Sequence, residues 1–465
     1  MSAERREVLV RGQGSSVLGP SIEVRMRRGK AFREKVSRAS QSDWAAPADR
    51  PDVIETLQRS DRGRVPELLP IRYGRMRQSA FAFFRGSAAV MAWDLSRTPT
   101  TGIRVQACGD CHAANFGGFA SPERRLLFDI NDFDETLPAP WEWDVKRLTA
   151  SLEVAGRTAG STARHREDAV RAAVRSYREH LYEYATMPSI EVWYQEIDFE
   201  KLIDKAPRTG RRKRDIRVAE RTQRKTIPND LLPTAIAGKR PRIEDHPPLI
   251  YHQAVQRTAA YLRRAAATFK RYRDSIAAPY RVLFDRFELL DVALKVVGIG
   301  SVGTFCEVAL FKDAQGAWLF LQIKEARASV LERYAGRSAF STHGERVVYG
   351  QRLMQAASDI FLGWTVGLEP DRAFYIRQLH DMKIPMPVNA EDPADLSYFA
   401  DASGWALALA HARTGDPAMI AGYLGRNDRL DDSIVKFATD YAEQTERDYD
   451  MLLKAIKSGR VKAAK

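Results

Sequence analysis

The stretch Gly109-Asp110-Cys111-His112-Ala113-Ala114-Asn115 sets a carboxylate and a carboxamide five positions apart. A carboxylate so placed can orient or accept the proton of an attacking hydroxyl. A carboxamide oxygen can hold a divalent cation that bridges phosphates. That cation needs a second carboxylate, and LLFDINDFDE supplies Asp129, Asp132 and Asp134 shortly downstream. The spaced ligands and closing Glu of an EF-hand are absent, so a calcium loop is set aside. These residue types imply phosphoryl transfer to a hydroxyl, with Asp110 as base or orienter. His112, between the two, reads as a brace of the loop.

The same stretch contains Cys108-x-x-Cys111-His112, the attachment signature of a c-type haem. Haem is attached outside the cytoplasm. The N-terminus MSAERREVLVRGQGSSVLGPSIEVRMRRGK has no charged-then-apolar signal pattern, so the sequence predicts a cytoplasmic protein without haem. Three cysteines in 465 residues make no disulfide framework. One C-x-x-C without a second pair is short of the four ligands of tetrahedral zinc.

Phosphates must also be held. GIGSVG, Gly298 to Gly303 with Gly300 and Ser301 inside it, matches G-x-G-x-x-G. In dinucleotide sites a helix follows the glycines. Here TFCEVALF, the turn KDAQGA and WLFLQIK read as two strands. Strand, glycines, strand is the arrangement of the loop that covers the nucleotide in protein kinases. Glycines suit it because a backbone without Cβ can close over phosphates. Lys324 ends the second strand, 21 positions after Gly303, where a kinase places the lysine that reaches the α- and β-phosphates. Its partner is expected to be a Glu on the next helix, and Glu345 is the candidate. Thr342 to Glu345, THGE, also reads as a capping box. On the same comparison, Asp110 and Asn115 have the spacing of H-R-D-x-x-x-x-N. INDFD is the segment most like D-F-G, which favours Asp132 over Asp129 as metal ligand. Asp144 in WEWDVKRL is similar to the helix Asp that braces the catalytic loop of aminoglycoside and choline kinase-like enzymes.

The chain is too long for a single core, and 44% hydrophobic with 29% charged residues describes a globular protein of two or three lobes. No apolar run is long enough to span a membrane. Residues 1–65 read as a basic, flexible arm. Residues 66–288 read as a large, mostly helical lobe carrying the catalytic and metal loops, and 289–382 as a small nucleotide-binding sheet lobe. Residues 383–465 read as helices completing the large lobe. Within this plan IRVQACGD is a short strand, NFGGFASPERRLLFDI a hairpin, and APWEWDVKRLTASLEVAG an amphipathic helix entered through Pro140. The fold class expected is α+β, two-lobed and protein-kinase-like. The catalytic loop precedes the glycine loop, which predicts a circular permutation with the sheet lobe inserted late. Net charge is +13, and Arg208 to Lys225 is densely basic. An anionic partner fits this, either a nucleotide or, with less support, a nucleic acid, since no aromatic interleaving or base-reading motif accompanies the run.

RYGRMRQSAFAFFRG, GDCHAANFGGF, FDINDFDE, WEWDVKRL and VVGIGSVGT together resemble the bacterial family called domain of unknown function 2252, from Pro66 to the C-terminus. That name conveys no activity. Cys108 departs from the kinase pattern, standing where H-R-D or H-G-D has its His. The function expected is an ATP- and Mg2+-dependent phosphotransferase acting on an unknown hydroxyl acceptor, small molecule or protein. The alternatives are a nucleotide-binding pseudokinase, nucleotidyl transfer from the same site, and a basic nucleic-acid binder.

Overall fold

Ser79 accepts the N–H of Ala82 at 3.0 Å and so starts helix α1 (Ala80–Gly86). Strand β1 (Arg104–Ala107) follows, and β2 (Phe116–Ala120) with β3 (Leu126–Ile130) closes the expected hairpin, Phe116 opposite Ile130. Strand β4 (Leu137–Pro140) pairs with β1, and Pro140 opens α2 (Trp141–Thr158). Against the amphipathic expectation, α2 is buried on every face. Some of its polar groups find partners inside the protein, while Glu142 Oε2, Trp143 Nε1 and Lys146 Nζ are buried without a hydrogen-bond partner. Glu142 accepts the backbone N–H of Thr101 at 2.6 Å, and the Lys146 ammonium lies 4.9 Å from the centre of the Phe437 ring. Helix α3 (Ala163–Thr186) packs along α2.

The computed structural model describes residues 19–206, 234–237, 240–296, 298–367, 369, 372–379, 384–385 and 392–464. The basic run Arg208 to Lys225 lies outside them. Strands β5 (Thr234–Ala237) and β6 (Arg240–Ile243) form a two-stranded ribbon. Beyond it come β7 (Ile250–Tyr251), α4 (Ala259–Arg273), β8 (Phe287–Lys295), β9 (Cys306–Asp313) and β10 (Trp318–Ala326). They are followed by α5 (His343–Met354), β11 (Gly363–Val366) and β12 (Ala373–Gln378). The strands make a curled antiparallel sheet in the order β11-β12-β10-β9-β8-β7. One face is sealed by Tyr261, Phe269, Tyr272 and Phe284 against Val292, Phe311, Leu321 and Ile323. The sheet lobe thus begins near Ile250. Helices expected to belong to the helical lobe cover the sheet instead, because their aromatic stripe has an apolar strand face to meet.

Strand β13 (Ile384–Pro385) adds an edge to the β2–β3 hairpin. Helices α6 (Pro393–Thr414) and α7 (Arg429–Lys457) then complete the helical lobe, α6 packing on α3 and α7 on α2. The segment read as a flexible arm is, from Gly19 on, packed onto this lobe. Helix Ile22–Ala31 lies on Pro417–Leu424, and Arg33 donates to the carbonyls of Tyr423 and Gly422 at 2.8 and 2.6 Å. Arg50 bridges Asp94 and Asp448, both at 2.7 Å. No helix among the described residues is long and apolar enough to cross a membrane.

Glu307 on β9 is buried between the sheet and α4. It accepts hydrogen bonds from the Tyr261 hydroxyl and the Gln256 amide, and its Oε2 has no partner. Burial raises its carboxyl from the ordinary 4.5 to about 7. A raised folded-state value favours the fold fully below the unfolded-state value and is lost as pH climbs through 7. Glu307→Gln is expected to remove roughly 2–3 kcal/mol of stability change between pH 5 and pH 8. Melting curves across that range check it, and an unflattened slope in the variant would refute it.

Candidate functional site

The Cys108–Asn115 loop is built on α2. The Asp144 carboxylate accepts the N–H groups of Cys108 at 2.6 Å and Gly109 at 3.0 Å, and His411 Nε2 of α6 lies 3.3 Å away. The other ring nitrogen of His411 meets the Tyr177 hydroxyl at 2.8 Å. Three helices therefore converge on one buried carboxylate beneath the loop. One turn further along α2, Arg147 pairs with Asp110. Its Nε donates to Asp110 Oδ1 at 2.8 Å, and its Nη2 reaches the same oxygen and the Phe84 carbonyl. Arg147 is buried, its guanidinium 4.5 Å from the centre of the Phe84 ring. Asp110 Oδ2 points elsewhere, 3.8 Å from His112 Nε2. Burial pushes the His112 ring down to about 4, against the pull of Asp110 and with Arg147 and Arg85 adding to the effect. His112 is thus neutral at physiological pH. Asn115 Nδ2 donates to the Asp110 carbonyl at 2.8 Å, and Asn131 N–H donates to the Asn115 carbonyl at 2.7 Å. Cys108 Sγ, 3.3 Å from the Asp132 carbonyl, ties the Cys108–Asn115 loop to the acidic one.

Lys324 arrives from the other lobe. Across the sheet it sits opposite Cys306 and Tyr375. Its ammonium lies 2.7 Å from Asp134 Oδ2 and 3.8 Å from Asp132 Oδ1. The Tyr375 hydroxyl donates to the second oxygen of Asp134. Burial works against the Lys324 charge, but the Asp132 and Asp134 carboxylates outweigh it and hold its pKa above the ordinary lysine range. Asp134 is held below the ordinary carboxylate range by Lys324 despite its own burial. Arg346 of α5 locks the acidic loop by donating to the carbonyls of Thr136, Asp134 and Arg327 at 2.5, 2.8 and 2.8 Å.

The glycine loop reaches the same place. Residues Ile299–Ser301 form one 3₁₀ turn, and Ile299 is buried among Tyr73, Met76, Phe83 and Val90 of the helical lobe. A Cβ on Gly300 would stand 4.0 Å from Asp110 Oδ2 and 3.4 Å from the Arg85 carbonyl, ordinary van der Waals distances that bring the glycine loop against both groups. Gly303 has φ +87°, which only glycine adopts without strain, and its carbonyl accepts the Val65 N–H at 2.7 Å. Gly298 has open space where a side chain would be.

Two sequence expectations need correction. Glu345 does not pair with Lys324. Its carboxylate accepts from the Ser341 hydroxyl at 2.7 Å and its N–H donates to Thr342 Oγ1 at 3.1 Å, which is the capping role. The lysine takes its anionic partner from the acidic loop instead, because Asp134 is brought directly beneath β10. Asp129 is not placed to hold a metal. Its oxygens accept the N–H groups of Ile130 and Ala356 at 2.8 and 2.9 Å, and burial raises its carboxyl to about 6.

Sequence reading missed Arg147, His411, Tyr375 and Arg346. Arg147 had a signal, standing three positions after Asp144 on the same helix. Tyr375 had a weaker one, the alternation of RAFYIRQL. His411 and Arg346 had none, because their partners lie more than 200 positions away.

Among the described residues no group of three His, Cys, Asp or Glu is arranged to hold a metal. Asp132 and the Asn115 amide offer hard oxygens around the Cys108–Asn115 loop. Oxygens of this kind are the type a magnesium ion would take, with phosphates and water completing its shell. No curated protein and no solved structure matches the chain. The family described as uncharacterized protein conserved in bacteria matches residues 64–455, a span that takes in every site residue named above. The chain therefore belongs to the family of domain of unknown function 2252.

Proposed function

We propose that this protein is an ATP- and magnesium-dependent phosphotransferase acting on a hydroxyl acceptor, with a kinase-like, circularly permuted arrangement of its two lobes. One observation carries the reading. Gly300 and Lys324 of the sheet lobe meet Asp110, Asp132 and Asp134 of the helical lobe, although the two groups lie some 190 positions apart. Neighbouring strand pairs, a turn of glycines and a lysine over an acidic loop are the parts that position a triphosphate.

In this reading Lys324 and the glycine-loop backbone hold phosphates, and Asn115 and Asp132 hold magnesium. The ion, when bound, would neutralise phosphate charge. Arg147 occupies Asp110 Oδ1, which leaves Oδ2 to orient the acceptor hydroxyl. The acceptor oxygen bonds to the γ-phosphorus while the bond to the β–γ bridging oxygen breaks. ADP leaves with that electron pair, and the hydroxyl proton passes toward Asp110 Oδ2. His112, neutral and buried, braces the loop.

A second reading, nucleotide binding without turnover, is favoured by the Lys324–Asp134 contact at 2.7 Å, which already neutralises the lysine. Titration distinguishes nucleotide binding from its absence. ATP with magnesium at about 100 times its Kd is expected to add roughly 2.7 kcal/mol of stability. Lys324→Ala is expected to abolish most of that gain. No stabilisation of the wild type, with or without magnesium, would refute both readings.

A further inference from the structure

We infer that Arg85 binds the terminal phosphoryl group of a nucleoside triphosphate, between Asp110, Asp132 and the glycine loop. The inference rests on the phosphotransferase reading and adds the residue that tells a triphosphate from a diphosphate.

Arg85 lies in RYGRMRQSAFAFFRG, a motif to which the proposed function assigns no binding or catalytic side chain. Its backbone is fixed on both sides. Arg147 donates to the Phe84 carbonyl at 3.2 Å, and Arg72 donates to the Gly86 carbonyl at 2.7 Å. The Arg85 carbonyl and Asp110 Oδ2 lie 3.4 and 4.0 Å from the same point above Gly300. The end of α1, the catalytic loop and the glycine loop therefore meet at Arg85.

The neighbouring arginines both form ion pairs, Arg72 with Asp61 at 3.1 Å and Arg147 with Asp110. Arg72 and Arg85 both have a buried Nε with no hydrogen-bond partner, but Arg85 alone of the three forms no ion pair among the described residues. The guanidinium lies 6.0 Å from the centre of the Phe81 ring on the same helix. The charges of Asp110 and Asp132 act on it from beyond contact distance. A half-buried guanidinium without an anion pays a desolvation penalty that an anionic ligand would relieve. Its planar fork suits the oxygens of a phosphoryl group. Lys324 lies against Asp132 and Asp134, whereas the Arg85 carbonyl and Asp110 Oδ2 border the same point above Gly300, where the proposed function orients the acceptor hydroxyl. The anion beside Asp110 is the one being transferred, hence the terminal phosphoryl.

The test is calorimetric titration of the full chain with ATP and with ADP, each with magnesium chloride, for wild type, Arg85→Gln and Arg85→Lys. Melting curves establish that the variants are folded. Arg85→Gln is expected to weaken ATP binding by about 10- to 100-fold, the loss of one charge-assisted contact, with ADP affinity unchanged. Arg85→Lys keeps the charge without the fork and is expected to fall between the two. If Arg85→Gln does not fold, Arg85→Lys alone decides, through a reduced preference for ATP over ADP. Equal losses for both nucleotides, or no loss, in a protein whose wild type binds ATP would overturn the role of Arg85 and leave the proposed function standing. A wild type that binds neither nucleotide would overturn the proposed function, and this inference with it.

Discussion

Asp110→Asn is expected to lower turnover by about 10²–10⁴-fold, the usual contribution of a group that orients or accepts a reacting proton. Nucleotide affinity is expected to change little, because Asp110 acts on the acceptor hydroxyl rather than on the phosphates. Such a loss falls on kcat, since the interaction is made mainly in the transition state. Stability is expected to fall as well. Arg147 is buried and pairs with this carboxylate, so the neutral amide leaves its charge without compensation. Asp110 keeps 20% of its side-chain exposure, which lets water screen the change and holds the cost to roughly 1–3 kcal/mol. Single-turnover ATP consumption with candidate acceptors, alongside melting curves, measures both effects. Equal rates in wild type and variant would remove the enzyme and leave a nucleotide-binding scaffold. Asp132→Asn makes the contrast. It removes a charged oxygen from the proposed magnesium site, so magnesium-dependent nucleotide binding and turnover are expected to fall together.

The second large effect concerns the floor of the loop. Asp144→Ala strands two backbone N–H groups and one ring nitrogen in a buried setting. Each buried donor left unmatched costs about 1–3 kcal/mol, so a loss of roughly 3–5 kcal/mol is expected for the variant. Asp144→Asn keeps the volume and one good acceptor, and is expected to cost less. Denaturant midpoints measure the difference. Amide exchange at Cys108 and Gly109 locates it, because slackening is expected there before the rest of the chain. A variant within 1 kcal/mol of wild type would show that the loop stands without its floor.

Local order was legible along the chain because its signals are local. Pro140 before an apolar run announced α2, the Ser-Pro turn announced the β2–β3 hairpin, and strand, glycines, strand announced β8 and β9. The candidates Asp110, Asn115 and Lys324 could be named from spacing, and Asp132 from the likeness of INDFD to D-F-G, since local pattern along one loop or one strand end is a property of the chain. Partnership was not legible. Both Asp134 and Glu345 were carboxylates within reach of the Lys324 motif, and only the docking of β10 over the acidic loop chose Asp134. The capping geometry of Thr342 and Ser341 kept Glu345 for its own helix. Likewise Asp129 and Asp132 differ by three positions, yet backbone N–H groups from two directions occupy Asp129. The residues that hold the site rigid, Arg147, His411 and Arg346, act across tens to hundreds of positions. Ion pairs and buried hydrogen bonds depend on distance in space and on desolvation, neither of which is written in the order of residues. The sequence by itself determined which groups could do chemistry. Tertiary structure decided which of them face one another, because only packing removes the water that would otherwise hold those charges apart.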